Sequence, residues 1–88
     1  MQSLYLDKTN RTPQIILDPK QELFEIKGRS IPENSVAFYE PVIKWIEEYR
    51  KEPNQNTRLV ARLEYFNTSS SKCLIELLRK LETIHTDG

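Results

Sequence analysis

The amino-acid sequence predicts an α/β fold in which two amphipathic helices pack on a small mixed β-sheet. Three observations predict it: an N-terminal pair of short alternating segments around a turn, a later strand-like segment, and two stretches with helical spacing of apolar residues. The elements follow in the order ββ(β)αβα, which places a helix between two strands of one sheet. We therefore expect a single domain over residues 1–88, built as an α/β sandwich.

The N-terminal third of the chain predicts a hairpin preceded by a less regular segment. Residues 1–12 alternate briefly and then become polar, so we expect either a loosely attached arm or an edge strand. Residues 14–17 and 22–27 both have the pattern of short strands, and residues 18–21 between them have the composition of a turn. These two segments form the predicted N-terminal hairpin.

The first helix is predicted from about residue 32 to residue 51. Ser30 and Glu33 have the spacing of a capping box, and Pro32 is typical of a first helical turn. The apolar positions of this stretch recur with a period near 3.6: Val36, Tyr39, Val42, Ile43, Ile46 and Tyr49.

The C-terminal stretch predicts a strand, a polar turn and a second helix. Residues 57–66 alternate in a way that suits an inner strand with one face fully packed. A second helix is expected from about residue 69 to residue 84, because Leu74, Leu77, Leu78 and Leu81 have helical spacing.

Composition and charge exclude several classes of function. Thirteen basic residues balance thirteen acidic ones, so we expect no nucleic-acid partner and no attraction to a membrane surface. No apolar run is long enough to span a bilayer, and the N-terminus lacks the pattern of a signal peptide, so we expect a cytoplasmic protein. The sequence offers no spaced metal ligands, no glycine-rich loop and one histidine, His85. We therefore expect no cofactor, no metal and no enzymatic activity.

The turn before the second helix carries five consecutive polar side chains, from Asn67 to Ser71. One such residue, either Asn67 or Thr68, is enough to cap the helix. The surplus of hydroxyl groups favours a recognition or modification surface about as strongly as a purely structural turn. A phosphate here would lie at the positive end of the helix dipole. The turn is therefore either a cap or a switch.

Two further features have competing interpretations. Cys73, next to Lys72 and near the helix start, is either a reactive thiol or a small buried hydrophobe, and we favour burial. Trp45, Tyr39 and Tyr49 form either a patch for a partner or part of the core, and we favour the core.

Two long stretches of the sequence resemble a known family. GRSIPENSVAFYEPVIKWIEEY and LEYFNTSSSKCLIELLRKLE are similar to the SiaC family of bacterial regulatory phosphoproteins, over nearly the whole chain from about Thr12 to Glu82. The resemblance implies a STAS-like architecture and a partner-switching protein. Ser30, Pro32, Glu33 and Asn34 match the first motif, for which helix capping is the physical interpretation.

The resemblance also implies a mechanism. In the family, a Ser/Thr kinase phosphorylates the threonine of the N-T-S-S motif, and a PP2C-type phosphatase reverses the modification. The unphosphorylated form binds and activates a diguanylate cyclase, which raises cyclic di-GMP and promotes biofilm formation. Carried over to this chain, the phosphoacceptor is Thr68. The surrounding partner-binding turn comprises Asn67, Ser69, Ser70, Ser71 and Lys72. The alternative is a constitutive interaction or assembly domain that uses the Trp45 face, with Thr68 only a helix cap.

The sequence departs from the family at its C-terminus. Family members usually continue with another strand and an acidic helical tail, whereas this sequence stops at Gly88. It is therefore either a shortened member or one with a smaller core. Without that strand, we expect an exposed apolar sheet edge and helix face that favour a homodimer.

Overall fold

The computed structural model describes residues 2–86, with side chains up to residue 84. It contains four strands and two helices: β1 (Leu4–Leu6), β2 (Gln14–Asp18), β3 (Leu23–Ser30), α1 (Ser35–Tyr49), β4 (Leu59–Phe66) and α2 (Thr68–Thr86). The order βββαβα confirms the predicted α/β fold, with a mixed sheet and two helices.

The sheet has the strand order β1-β2-β3-β4. The first three strands are antiparallel neighbours, and β4 runs parallel to β3 after the crossover through α1. Leu4 in β1 pairs with Leu17 in β2, which confirms the edge-strand alternative for the N-terminal segment. Leu17 in turn pairs with Phe24, as the predicted hairpin requires.

Both helices pack on one face of the sheet and enclose a single core. The buried apolar side chains come from two strands and both helices: Ile15, Leu17, Phe24, Ile26, Tyr39, Val42, Ile46, Tyr49, Cys73, Leu74 and Leu77. Burial of each large aliphatic side chain is worth about 1.5–3 kcal/mol relative to exposure. These contacts hold α1 and α2 in fixed positions over β2 and β3.

Helix α1 starts later than the sequence predicts, and the capping-box interpretation is wrong. Asn34 is the N-cap, and its side-chain oxygen accepts a hydrogen bond from the backbone N–H of Ala37 at 3.1 Å. Ser30 does not cap, because β3 continues through Ser30 and buries its side chain completely. Glu33 is exposed and contacts Arg11 in an ion pair at 3.4 Å.

The inner-strand interpretation of residues 57–66 is also wrong for the part of the chain that the structure describes. Strand β4 is at the end of the sheet, and none of its residues is fully buried. Glu64 has no pairing partner on β3, which marks a bulge in β4. Because the bulge reverses the alternation, Phe66 joins Leu63 on the helix side of the sheet. The expected apolar edge and helix face are therefore exposed.

Candidate functional site

The two sequence motifs meet where β3 and β4 end and where α1 and α2 begin. Because β3 and β4 are parallel, their carboxyl ends lie at the same edge of the sheet, and Ser30 pairs with Phe66 there. The backbone N–H of Asn67 donates to the carbonyl oxygen of Ser30 at 3.1 Å. This contact joins the two motifs at one polar junction.

Asn67, and not Thr68, caps helix α2. The side-chain oxygen of Asn67 accepts a hydrogen bond from the backbone N–H of Ser70 at 2.9 Å, the geometry of an N-cap. Thr68 is the first residue of the helix, and its side chain is exposed. Among the described residues, none forms a hydrogen bond with the Thr68 hydroxyl. The interpretation of Thr68 as the helix cap is therefore wrong.

A buried network of hydroxyl groups fixes the start of α2 against β3 and α1. The Ser30 hydroxyl lies 2.9 Å from the Ser70 hydroxyl, and both side chains are fully buried. Ser35 at the start of α1 contacts Ser69 at 2.8 Å and Ser70 at 3.2 Å. Tyr39 contacts Ser30 at 2.5 Å. The network ties three elements together directly beneath the exposed turn.

Counting the protons of the network assigns its donors. Ser70 donates its one proton to the carbonyl oxygen of Ser30 at 2.9 Å, and Ser30 donates its own to the Ser70 hydroxyl. Tyr39 is therefore the donor in its contact with Ser30. Burial raises the pKa of the Tyr39 phenol, which keeps this donor protonated. No buried side-chain N or O atom of the described residues lacks a hydrogen-bond partner.

The structure separates the predicted site residues into exposed and buried groups. Thr68, Ser69 and Lys72 are exposed, Asn67 and Ser71 are partly buried, and Ser70 is fully buried. The Ser71 hydroxyl donates to the backbone carbonyl of Thr68 at 2.7 Å. Lys72 follows Thr68 by one helical turn, so the two side chains share a face of α2. Ser70 thus supports the turn from below rather than forming part of its surface.

The favoured interpretations of Cys73 and of the aromatic residues are confirmed. Cys73 is buried, and its pKa is raised first by burial and then by the nearby Glu76, so the thiol is not activated. Tyr39 and Tyr49 are fully buried. The Trp45 ring stacks on Tyr49 with centroids 5.2 Å apart, and its N–H donates to the carbonyl of Gln2 at 2.8 Å. These rings belong to the core.

Sequence reasoning missed the roles of Ser30, Ser35 and Tyr39 in this junction. The capping-box spacing of Ser30 and Glu33 obscured the fact that Ser30 ends a strand. They could have been predicted from the topology, because polar residues that follow two parallel strands lie at the same edge of the sheet.

Other functional classes find little support in the described residues. No group of three or more His, Cys, Asp or Glu side chains within residues 2–84 is placed to hold a metal ion. No helix in the described part of the chain is long and apolar enough to cross a membrane. The side chain of His85 lies outside the described residues.

Comparison with known proteins points to the family that the two sequence motifs resemble. A family model described as SiaC family regulatory phosphoprotein matches residues 6–88. An uncharacterised protein of Pseudomonas aeruginosa (strain UCBPP-PA14) is 35% identical over 88 residues, which are 100% of this chain and 70% of that protein.

Solved structures match as well. The crystal structure of apo-SiaC from P. aeruginosa superposes with a TM-score of 0.91 at 35% identity, covering 100% of this chain and 73% of that one. A crystal structure of the diguanylate cyclase SiaD in complex with its activator SiaC, from the same species, matches with a TM-score of 0.87 at 35% identity. That match covers 97% of this chain and 70% of the other.

Proposed function

Because the chain belongs to the SiaC family of regulatory phosphoproteins, we propose that it is a phosphorylation-controlled activator of a diguanylate cyclase. In this proposal the unphosphorylated protein binds the cyclase in the cytoplasm and raises the synthesis of cyclic di-GMP. A Ser/Thr kinase phosphorylates Thr68 and ends the interaction, and a PP2C-type phosphatase restores it. The protein itself carries out no catalysis.

This proposal rests on one observation: the Thr68 hydroxyl is exposed and has no hydrogen-bond partner among the described residues. Thr68 is exposed at the first position of α2, and Asn67 provides the cap, so the hydroxyl is not required for the fold. A kinase can therefore reach it without unfolding the helix. The hydroxyls of Ser69, Ser70 and Ser71 are all engaged in hydrogen bonds, which makes Thr68 the least constrained acceptor of the turn.

A phosphate at Thr68 is compatible with the local electrostatics. It adds a charge of about −1.5 to −2 at pH 7, next to the positive end of the α2 dipole. Lys72 lies one turn away on the same face, where it can pair with the phosphate. The fold therefore survives the modification, and the effect falls on whatever binds at this turn.

The choice of a diguanylate cyclase as the partner follows from the SiaC relative, which is described as the activator of SiaD. The partner-binding surface includes the exposed residues around Thr68, namely Asn67, Ser69, Ser71 and Lys72. Ser70 is proposed to position this surface through the buried hydroxyl network.

Mass spectrometry of the native protein tests the phosphoacceptor. The protein is purified from its host with and without phosphatase treatment, and the modified residue is mapped by fragmentation. We expect a phosphate on Thr68 that disappears after phosphatase treatment and in a Thr68→Ala variant. Ser71→Ala is the matched control, because it removes a hydroxyl from the same turn and should leave the phosphate in place.

The constitutive binding module is the competing function. It predicts an unmodified chain under all growth conditions and a cyclase interaction that is the same for wild type and Thr68→Ala. A phosphate on another hydroxyl of the turn, with Thr68 unmodified, would also contradict the proposed switch.

A further inference from the structure

The turn at the start of α2 offers a kinase two exposed hydroxyl side chains in consecutive positions, Thr68 and Ser69. Ser70 is fully buried, and Ser71 is partly buried with its hydroxyl bonded to the carbonyl oxygen of Thr68 at 2.7 Å. Exposure therefore separates Thr68 from Ser70 but not from Ser69. If Thr68 is the single phosphoacceptor, another feature of the structure has to exclude Ser69.

The Ser69 hydroxyl differs from the Thr68 hydroxyl in its contacts. Ser69 Oγ donates a hydrogen bond to Asn67 Oδ1 at 3.2 Å, and it lies 2.8 Å from Ser35 Oγ. The Thr68 hydroxyl has no such contact in the described part of the chain. Two neighbouring hydroxyl groups are therefore both accessible, but only one of them is held in place.

Ser35 is the donor in its contact with Ser69. Because Ser69 gives its proton to Asn67, and Ser70 gives its own to the carbonyl oxygen of Ser30, neither of them donates to Ser35. The one proton of Ser35 goes to Ser69, which is the nearer acceptor at 2.8 Å, against 3.2 Å for Ser70. Ser69 Oγ therefore both donates a hydrogen bond and accepts one.

Phosphoryl transfer requires a hydroxyl that is free to react. The acceptor oxygen forms a bond to the γ-phosphorus of a nucleoside triphosphate held by the kinase, and the bond from that phosphorus to the bridging oxygen breaks. The hydroxyl proton passes to a base of the kinase, and the nucleoside diphosphate leaves. A hydroxyl that is fixed by two hydrogen bonds has to give up at least one of them before it can react. Ser69 carries this penalty, and Thr68 does not.

The packing of α1 against α2 brings Ser35 to this position. Ser35 is the first residue of α1 and is only 3% exposed. Asn34 caps α1 in the same way as Asn67 caps α2, and the two helices begin side by side. Ser35 thereby contacts Ser69, which lies 34 positions further along the chain.

We propose that Ser35 is a specificity-determining residue that confines phosphorylation to Thr68 by holding the hydroxyl of Ser69. It is a positioning residue, because it acts through Ser69 and contacts none of the reacting atoms. This inference rests on the proposed function and deepens it, because it explains how a turn with two exposed hydroxyl side chains takes up one phosphate at one position.

Variants that free Ser69 in the absence of Thr68 test this role. Each protein is purified from the native host, and its phosphates are mapped by fragmentation. Thr68→Ala alone should carry no phosphate on Ser69. Thr68→Ala combined with Ser35→Ala should carry one, and its occupancy should exceed that of Thr68→Ala by at least about fivefold, the factor that one net hydrogen bond supplies.

Tyr39→Phe is the matched control. It removes a hydroxyl from the same buried network without touching Ser69, so Thr68→Ala combined with Tyr39→Phe should remain unmodified. Ser35→Cys is a second test variant, because a thiol is a weaker hydrogen-bond donor than a hydroxyl. Combined with Thr68→Ala, it should also produce a phosphate on Ser69. Thermal melts check that all these variants remain folded.

Two results would overturn the role of Ser35. An unmodified Ser69 in both Ser35 variants would show that the direction of its side chain, and not Ser35, excludes it from the kinase. An equal gain in the Tyr39→Phe control, or a phosphate spread over Ser70 and Ser71, would show that the whole turn had loosened.

The wild-type protein separates this inference from the proposed switch. If wild type carries a phosphate on Thr68 while both Ser35 variants leave Ser69 unmodified, the switch stands and the role of Ser35 fails. If wild type carries no phosphate on Thr68, the switch itself fails, and the role of Ser35 fails with it.

Discussion

At the residue scale, Asn67 and Thr68 are neighbours with different roles. Asn67 satisfies the backbone at the start of α2, whereas the Thr68 hydroxyl is exposed. Asn67→Ala should lower the free energy of unfolding by about 1 kcal/mol, the usual value of an N-cap. Thr68→Ala should change it by less than about 0.5 kcal/mol, as expected for a surface substitution. Urea denaturation of both variants measures the difference.

Comparing these two substitutions shows which of the two residues caps α2. An equal loss of stability in Thr68→Ala would show that Thr68 contributes to the helix start. In that case, phosphorylation of Thr68 would also be expected to lower the stability of the fold.

Asp18 gives a second prediction at this scale. A hydrogen bond from the Tyr5 hydroxyl, followed by hydrogen bonds from Ser3 and Gln21, lowers the pKa of Asp18 from 3.8 to about 2 despite its burial. Because the folded pKa lies below the unfolded one, this stabilisation is complete above pH 3.8 and disappears as the pH falls toward 2.

Tyr5→Phe should therefore raise the pKa of Asp18 and reduce the acid dependence of stability. An NMR titration of the Asp18 carboxyl group and urea midpoints between about pH 2 and pH 5 measure both effects. An unchanged pKa of Asp18 in Tyr5→Phe would mean that Ser3 and Gln21, and not the phenol, hold Asp18 ionised.

At the element scale, the start of α2 is fixed by the hydroxyl network. Ser70→Ala removes the acceptor of the Ser30 hydroxyl and should cost about 1–3 kcal/mol, since a buried donor is left without a partner. Ser71→Ala is the control, because Ser71 is only partly buried and its change should stay within about 0.5 kcal/mol. Thermal melts of the two variants with the same midpoint would contradict the structural role of the network.

The two apolar faces of α2 provide a further element-scale prediction. Leu77 is fully buried between α1 and the sheet, so Leu77→Ala should destabilise the protein by about 2–5 kcal/mol. Ile75 is half exposed on another face of α2, and Ile75→Ala should cost less than about 1 kcal/mol. Denaturant titration separates the two. A large loss at Ile75 would show that this half-exposed side chain belongs to the folding core.

The elements also show how far the sequence alone could lead. Period-3.6 and alternating patterns predicted both helices and the hairpin, because local periodicity reflects which face is buried. The start of α1 was predicted incorrectly, since Ser30 satisfies the capping pattern locally but is held in β3 by its neighbours. The edge position of β4 and the bulge at Glu64 depend on the pairing of distant strands, which no local pattern records.

The candidate site, too, could be predicted only in part from the sequence. The hydroxyl-rich turn and its helix are visible in the sequence, and the family resemblance points to Thr68 within it. Its separation into the cap Asn67, the free Thr68 and the buried Ser70 needs the tertiary contacts with Ser30 and Ser35. Those contacts connect positions more than thirty residues apart.

At the scale of the whole molecule, the fold places the exposed Thr68 at the start of α2, a helix that leaves several apolar side chains exposed. The core holds α2 from one side, through Leu74 and Leu77, and leaves Ile75 and Leu78 exposed on the other. The chain spans 73% of apo-SiaC from P. aeruginosa, so the described fold corresponds to most of that relative. In the proposed function the fold is the same in both forms, and the charge at Thr68 determines which form binds the cyclase.

The most direct test of this central claim is the activity of a diguanylate cyclase titrated with two forms of the protein. SiaD from P. aeruginosa is mixed with chain that is either unmodified or fully phosphorylated at Thr68, and cyclic di-GMP production is measured. The account predicts activation by the unmodified form and a loss of at least about tenfold in apparent affinity after phosphorylation. Equal activation by both forms, or activation by neither, would contradict it.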